Sequence, residues 1–253
     1  MQKNILLTIE YVGTRYFGFQ IQNKSGKREI AVQQKLEQAL KKLFKKRVAL
    51  TSASRTDRGV HAQAQAANFI VDTKIPLSNI KRALNTFLPA DIRVKSARFM
   101  PLDFHARFAA HSKIYRYIIL NGKEPSVFWV DRAWHTVKPL NRRAMADVAK
   151  RLIGKHDFSL FAKEAHTYHD CAREVKGVRV IKRGSFLYVD IEANGFLRFM
   201  VRNIVGFLVK VGSGILSLEQ AEAILARTVP YRNEPAPAGG LYLVKVNYRG
   251  YKG

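Results

Sequence analysis

The sequence SRTDRGVHA, residues 54–62, joins two predicted strands at 48–54 and 62–71. Asp57 and Gly59 predict a turn between them, because an Asp side chain hydrogen-bonds nearby backbone and Gly adopts a positive φ. A pair of strands joined in this way indicates antiparallel sheet. Taken alone, Asp57 is most simply a structural turn residue.

The charge of the chain favours a second interpretation of that aspartate. The 253 residues include 44 Lys and Arg against 19 Asp and Glu, which gives a formal net charge of +25. Such an excess of one sign favours a polyanionic partner, with nucleic acid as the first candidate and an anionic membrane surface as the second. Bound phosphates would repel a carboxylate at this place. Asp57, between Arg55 and Arg58, therefore has a structural or a chemical reason to be there.

Composition places the chain among folded proteins of a reducing compartment. Hydrophobic residues make up 47% and charged residues 25%, the usual globular mixture. The single cysteine, Cys171, excludes an intramolecular disulfide. The apolar run near the first residue is too short for a signal peptide, and the apolar stretch 199–211 is shorter than the ~20 residues that cross a bilayer. We expect a soluble, cytoplasmic protein.

Hydrophobic periodicity predicts a mixed architecture. Helical spacing covers 32–44, 80–88, 141–153 and 197–211, while strand patterns occur at 5–11, 92–99, 114–120, 174–181, 186–191 and 241–246. Ser78 and Asn141 are expected N-caps, and Ser217 with Gln220 predicts a capping box. The fold class is therefore α+β with largely antiparallel sheet. The pattern repeats after about residue 105, which divides the chain into an N-terminal subdomain, 1–105, and a C-terminal subdomain, 106–253.

Several familiar chemistries lack their motifs. The sequence has no GxxxxGK[ST], GxGxxG, GxSxG or HExxH, so it supports no nucleotide loop, serine hydrolase elbow or zinc protease helix. His166, His169 and Cys171 are the remaining metal candidates. A polar loop is the simpler interpretation of these three, and we expect no metal and no cofactor.

One arginine lies in an unusual place. Arg202 falls within the apolar helical stretch FMVRNIV, residues 199–205. A buried guanidinium requires a carboxylate partner, for which Asp57 is one candidate. The alternative is an arginine that extends along the helix to reach solvent.

Aromatic and basic residues alternate in two further segments. Strand alternation places Tyr115 and Tyr117 on one face and Arg116 on the other, so the tyrosines serve either the core or the stacking of an extruded base. The pentapeptide FHARF, residues 104–108, suits phosphate contact combined with stacking. The basic run at 41–47 is either a solvated helix face or a phosphate contact.

Together these segments resemble one family. SRTDRGVHA is similar to the catalytic motif of the tRNA pseudouridine synthase A (TruA) family, written RTD-GVHA. Family segments follow in the same order along nearly the whole chain, namely YVGTRYFGFQIQ, VQQKLEQAL, LNTFLPADIRV, FHARF, KIYRYII, FLRFMVRNIVG and GLYLVKV. The resemblance implies two α/β subdomains whose strands merge into one mixed central sheet flanked by helices, with a basic cleft between them.

The resemblance also implies an activity. Family members act as homodimers on the anticodon arm of tRNA and isomerise uridine to pseudouridine at positions 38 to 40. By this resemblance Asp57 is catalytic, Tyr115 packs against the uracil, Arg55 is linked to base flipping and Arg202 pairs with the catalytic carboxylate. The implied RNA contacts are Phe104, His105, Ala106, Arg107, Phe108, Ala165, His166, Thr167, Tyr168 and His169.

The sequence departs from the family at three places. Arg58 replaces a residue that is usually small, and Val12 and Phe19 replace a common Asp and Trp. Arg58 adds a positive charge beside Asp57. Two alternatives remain open: an enzyme of this chemistry that acts on another RNA, such as ribosomal RNA, and a non-catalytic RNA-binding protein. A peripheral membrane role has the least support, because no helix combines a wide apolar face with an aromatic border.

Overall fold

The computed structural model describes residues 1–21 and 30–250. These residues form ten strands, namely β1 (Gln2–Tyr11), β2 (Thr51–Ser52), β3 (His61–Asp72), β4 (Ile92–Met100), β5 (Ala110–Asn121), β6 (Trp134–Thr136), β7 (Gly154–Asp157), β8 (Ala172–Arg183), β9 (Phe186–Ala193) and β10 (Leu241–Tyr248). They also form five α-helices, namely α1 (Val32–Phe44), α2 (Leu77–Phe87), α3 (Arg142–Lys150), α4 (Met200–Gly212) and α5 (Leu218–Leu225). The predicted α+β class is confirmed.

The chain divides into two compact units. The first contains Met1–His111 together with the chain from Tyr242 onward, and the second contains Ser112–Leu241. The last strand therefore belongs with the beginning of the chain. The separate roles predicted for 1–105 and 106–253 stay a prediction.

The sheet of the first unit is mostly antiparallel. Strand β1 lies between β3 and β4 and pairs antiparallel with both. Strand β2 adds an antiparallel edge to β3, and β10 pairs parallel with β3 at its start. Alternation along β1 buries Ile5, Leu7 and Ile9 completely. Apolar residues of α1 and α2 are also buried, and Phe44 of α1 contacts Phe69 of β3.

Two buried asparagines hold a segment against the other face of this sheet. The Asn4 side chain donates to the carbonyl of Phe104 (2.8 Å), and Asn68 donates to the Asn4 side chain (2.9 Å). Asn68 also accepts from the amide of Ala106 (2.9 Å). Phe104 and Ala106 are buried with Leu6 in a small apolar cluster as a result. The pair fixes the course of the chain through 104–106.

The second unit is built around one mainly antiparallel sheet. Strands β5, β9, β8 and β7 pair antiparallel in that order, and β6 pairs parallel with β5. Helix α4 is buried almost all round, as its apolar sequence predicts. Asn203 in this helix donates to the carbonyl of Phe161 (2.7 Å), which satisfies one buried polar group.

Several helix limits follow the sequence, and three differ. Helix α3 ends at Lys150 and not at Ile153, because the amides of residues 151–153 donate to carbonyls three residues earlier, as in a 3-10 turn. Asn141 caps α3 and Ser217 caps α5 with a capping box, as predicted. The prediction that Ser78 caps α2 is wrong: the helix begins at Leu77 with Pro76 as N-cap, because the Pro76 carbonyl already accepts from the amides of Asn79 and Ile80.

Helix α4 begins three residues later than predicted. Phe199 has a φ of 63°, in the left-handed region, and this conformation prevents a continuous helix from Leu197. None of the helices in the described ranges has the length and apolar character to cross a membrane.

The asparagine pair gives a prediction about stability. Asn68→Leu keeps the approximate size of the side chain but leaves the buried Ala106 amide without its acceptor, so the free energy of unfolding should fall by about 2–4 kcal/mol. Urea unfolding followed by circular dichroism measures the change. Asn79→Ala, at an exposed position on α2, is the control and should change stability by less than about 0.5 kcal/mol. An equal effect of both substitutions would contradict the assigned role of Asn68.

Candidate active site

The segment from Arg55 to Gly59 forms a turn before β3. Asp57 is half-buried there, whereas Arg55 and Arg58 are exposed. Thr56 is buried on one side of the aspartate and Val60 on the other, so the loop is anchored at both ends. The amide of Val60 donates to the carbonyl of Asp57 (3.2 Å), which closes the predicted turn.

A second loop, residues 13–19, holds this turn from outside. The amide of Phe19 donates to the carbonyl of Thr56 (3.2 Å), and the amide of Gly59 donates to the carbonyl of Tyr16 (3.3 Å). The side-chain hydroxyls of Tyr11 and Thr56 are 2.8 Å apart and hydrogen-bonded. The backbone around Asp57 is thus fixed by main-chain and side-chain bonds together.

Two glycines make this close approach between the loops feasible. A Cβ added at Gly13 would overlap the carbonyl oxygen of Val60, and one added at Gly18 would overlap that of Thr56. Gly18 also has a φ of 88°, which other residues adopt only with strain. The glycines of YVGTRYFGF therefore have a steric role at the site. The sequence pattern alone gave no indication of that role.

An acidic residue anchors the outer loop. The hydroxyl of Tyr16 donates to Asp91 (2.6 Å), and the guanidinium of Arg15 contacts the same carboxylate (2.8 Å). Burial opposes ionisation of Asp91, but the hydrogen bonds from Tyr16 and Arg15 outweigh it and lower the pKa of this carboxyl. Burial, reinforced by the bond to Asp91, raises the pKa of Tyr16. The bonds from Tyr16 and Arg15 thus attach loop 13–19 to Asp91, the residue that precedes β4.

The three departures from the family fit their surroundings. The Arg58 guanidinium lies over the ring of Phe17, 4.1 Å from its centre, a favourable cation–π geometry. Phe19 is fully buried against Tyr11, with ring centres 6.0 Å apart. The amide of Val12 donates to the carbonyl of Asp91 (3.0 Å). Arg58 extends across loop 13–19 and keeps its charge at the surface.

The predicted alternation along β5 is confirmed. Tyr115 and Tyr117 are buried, and Tyr115 meets the ring of Phe196 edge-on at 5.1 Å. The hydroxyl of Tyr117 donates to the carbonyl of Pro237 (2.7 Å), and this bond fixes the orientation of the Tyr117 ring. On the opposite face Arg116 forms two hydrogen bonds with the buried Asp190, of 2.7 and 2.8 Å.

Arg202 is held at a defined position on α4. Its Nε donates to the carbonyl of Ala236 (2.7 Å), and the amide of Ala236 donates back to the carbonyl of Arg202 (3.0 Å). The guanidinium also lies 4.4 Å from the centre of the Phe199 ring. Arg202 is half-buried, between the two interpretations considered from the sequence. The contact through Nε fixes the direction of the guanidinium.

The segment FHARF presents only some of its side chains. Phe104 and Ala106 are buried, and their backbone groups bond to Asn4 and Asn68. Phe108 is 78% exposed, and the His105 ring stacks on its ring with centres 4.3 Å apart. Arg107 is exposed beside them. An aromatic platform with a cation next to it remains available at the surface.

The other predicted RNA-contact segment is a short 3-10 turn, Ala165–Thr167, and the residues that follow it. His166, Thr167 and His169 are exposed, while Ala165 and Tyr168 are half-buried. Cys171 bonds weakly to the carbonyl of Ala165 (3.7 Å). In the part of the chain that the structure describes, these residues do not form a group of three or more metal ligands.

The predicted site residues belong to different units. Asp57, Arg55 and the segment 104–108 lie in the first unit, and Tyr115, Arg202 and the segment 165–169 lie in the second. Each unit holds its own residues by the bonds described above.

Comparison with known proteins gives a consistent result. A family model for tRNA pseudouridine synthase matches residues 7–109 and 148–249. The chain is 42% identical over 247 residues to tRNA pseudouridine synthase A from Thermoanaerobacter sp. (strain X514), covering 97% of this chain and 100% of that protein. It is 40% identical over 250 residues to the protein of the same name from Ruminiclostridium cellulolyticum, covering 97% and 100%. The corresponding protein from Blochmanniella pennsylvanica is 40% identical over 253 residues, covering 98% and 94%.

The anchor at Asp91 gives a prediction about pH. Since the folded-state pKa is depressed, ionised Asp91 stabilises the fold above its ordinary pKa of about 4. This contribution is lost as the pH falls from there through the lower folded-state pKa. Asp91→Asn should therefore lower the free energy of unfolding by about 1–2 kcal/mol at pH values above about 5, and by less toward about pH 3.

Urea unfolding at a series of pH values measures this difference. Asp103→Asn, at an exposed position of the same unit, controls for the loss of one negative charge. A difference between wild type and Asp91→Asn that stays constant across the series would contradict the assigned linkage.

Proposed function

Since the chain belongs to the tRNA pseudouridine synthase A family and is an isomerase that converts uridine in tRNA to pseudouridine, we propose that it acts on the anticodon stem-loop at positions 38 to 40, with Asp57 as its catalytic residue. The observation that carries this proposal is the position of Asp57. It is a half-buried carboxylate in a chain of net charge +25, and its loop is fixed by a second loop packed against it. A carboxylate retained in such surroundings has a chemical use.

The reaction needs a reactive carboxylate and a closed pocket. The N1–C1′ bond of uridine breaks, the detached uracil turns, and a new bond joins C5 to C1′. The proton leaves C5, and N1 ends with a proton. Ionised Asp57 acts either as a nucleophile at the sugar or the base, or as a base that removes a sugar proton. The product has the same atoms and the same oxidation state as uridine, so the reaction needs no external oxidant or reductant.

Arg202 is proposed as the partner of Asp57. Its Nε donates to the carbonyl of Ala236, so we assign the terminal amino groups of the guanidinium to the carboxylate. A guanidinium next to a carboxylate favours the ionised form and fixes its direction. This pairing accounts for both an arginine in an apolar helix and an aspartate in an RNA-binding enzyme.

The remaining roles concern the flipped nucleotide. We assign Tyr115 to contact with the uracil face, since its ring is already fixed edge-on by Phe196. Arg55 is exposed next to Asp57 and is assigned to the space that the flipped base vacates. This isomerisation requires that the uracil stay in place while it has no covalent bond to the sugar, and stacking on an aromatic ring can hold it there.

Contacts with the rest of the RNA are assigned to the two exposed segments. The stacked His105 and Phe108 with Arg107 suit an unpaired base and its phosphate. His166, Thr167 and His169 supply further polar contacts. We also propose that the protein works in the cytoplasm as a homodimer, as the family resemblance implies.

The substrate assignment is tested by release of tritium from RNA labelled at uracil C5. An anticodon stem-loop with labelled uridines at 38 to 40 should release tritium, because C5 loses its hydrogen when it bonds to C1′. The same stem-loop with cytidine at these positions and labelled uridine elsewhere should release none. Release from a ribosomal RNA fragment alone would contradict the tRNA site. Binding to every RNA without any release would indicate a non-catalytic RNA-binding protein.

The role of Arg202 is tested by substitution. Arg202→Met removes the charge but keeps much of the apolar stem, and the rate of tritium release at saturating RNA should fall roughly a hundredfold or more. Arg142→Met, at an exposed position on α3, is the matched control and should retain the wild-type rate. Thermal melting establishes that both variants are folded. A folded Arg202→Met enzyme with a near-normal rate would refute the pairing with Asp57.

A further inference from the structure

Three cationic side chains surround one aromatic ring at the start of α4. The Phe199 ring centre is 4.4 Å from the Arg202 guanidinium, 5.0 Å from the Lys163 ammonium and 5.6 Å from the Arg198 guanidinium. Phe199 is half-buried, and Lys163 and Arg198 are exposed. Arg202 has a role in the proposed site, whereas the other two cations have none so far.

Backbone bonds fix Lys163 and Arg198 relative to each other. The amide of Lys163 donates to the carbonyl of Arg198 (2.9 Å), and the amide of Arg198 donates to the hydroxyl of Tyr168 (3.0 Å). Both ends of the segment 163–168 are therefore fastened to one residue. The backbone of the two cationic residues is therefore held in a fixed arrangement. The predicted RNA-contact residues 165–169 follow directly in the chain.

The charges of Lys163 and Arg198 are only partly balanced by carboxylates in the described residues. Arg198 pairs with Glu164 at 2.5 Å, with 46% and 44% of the two side chains exposed. Lys163 has no carboxylate within 4.0 Å among residues 1–21 and 30–250. Lys163 and Arg198 together with the one carboxylate of Glu164 leave one positive charge beside the ring. A ring face stabilises an exposed cation by only about 0.5–1 kcal/mol, so this charge is available to an anionic ligand.

We propose that Lys163 and Arg198 bind a backbone phosphate of the RNA, with the Phe199 ring as the surface beneath them. This proposal rests on the proposed function and extends its site. The ammonium and the guanidinium donate to the phosphate oxygens, and Arg202, on the same ring, keeps the role proposed for it with Asp57. A phosphate bound here fixes the register of the RNA strand on this unit.

Glu164 has a defined part in this arrangement. Its carboxylate occupies the Arg198 guanidinium in the free protein and competes with the phosphate for it. Removal of the Glu164 charge should therefore strengthen RNA binding. A purely structural ion pair would respond in the opposite sense, because its loss would loosen the segment 163–168.

The test is a series of binding measurements at different salt concentrations. The probe is an anticodon stem-loop with cytidine at positions 38 to 40, so that no turnover occurs, in filter binding between about 50 and 200 mM KCl. Lys163→Gln and Arg198→Gln should each weaken binding and reduce the slope of log K against log [KCl] by about one. Glu164→Gln should tighten binding roughly two- to fivefold, the range of an exposed ion pair.

Arg151→Gln is the matched control. Arg151 is also exposed and paired with a glutamate, Glu222, at 2.8 Å, so its substitution should leave the slope at the wild-type value. Unchanged slopes for Lys163→Gln and Arg198→Gln, or weaker binding by a folded Glu164→Gln protein, would overturn the proposal. Wild-type tritium release, measured in parallel, separates the outcomes. Release with unchanged slopes refutes only the phosphate site, while no release from any RNA refutes the proposed function.

Discussion

The contact between two backbone segments, loop 13–19 and the turn at 55–59, is the constraint on which the site depends. Gly13 and Gly18 bring the outer loop so close to the carbonyls of Val60 and Thr56 that no side chain fits between them. The resulting amide–carbonyl bonds fix the backbone on either side of Asp57. An aspartate on a free turn would sample many directions and would lose this entropy on each encounter with substrate. The packing of loop 13–19 against the turn restricts the Asp57 backbone already in the free protein, so less entropy is lost when substrate binds.

Electrostatics gives the second requirement. A strongly basic chain attracts RNA, and its positive charges are placed by specific neighbours. Arg58 lies on Phe17, and Arg202 on Phe199 and the carbonyl of Ala236. Rings and backbone carbonyls carry no net charge, so these contacts orient the guanidinium groups without cancelling their charge. Arg116 differs from these residues, because its charge is neutralised by the ion pair with the buried Asp190. The Arg58 cation is exposed and available to an RNA phosphate, and the Arg202 cation is proposed to serve the carboxylate of Asp57.

Sequence reasoning succeeded where the pattern is local. The 3.6-residue period, the caps Asn141 and Ser217, and the alternation in β5 determine those elements within a few residues. It failed where one residue has a backbone conformation that the pattern does not indicate, such as the positive φ of Phe199. It also failed at the start of α2, where the first helical hydrogen bonds are accepted by the Pro76 carbonyl. The burial of Phe104 and Ala106 depends on Asn4 and Asn68, which are distant in sequence, so the segment FHARF alone could not indicate it.

The site was predictable only in part for the same reason. The placement of a carboxylate between arginines singled out Asp57, and the family resemblance supplied the roles proposed for Asp57, Tyr115, Arg55 and Arg202. The steric need for Gly13 and Gly18 and the gathering of Lys163 and Arg198 around Phe199 are tertiary facts. Neither leaves a periodic signal along the chain.

The most direct test of the account is the single-turnover rate of tritium release by Asp57→Asn, with RNA affinity measured on the same preparation. Asn keeps the size of the side chain and its turn geometry but cannot act as a nucleophile or base. We predict binding equal to or tighter than that of the wild type and no detectable release. Pseudouridine formed by this variant at a measurable rate would contradict the assignment of Asp57.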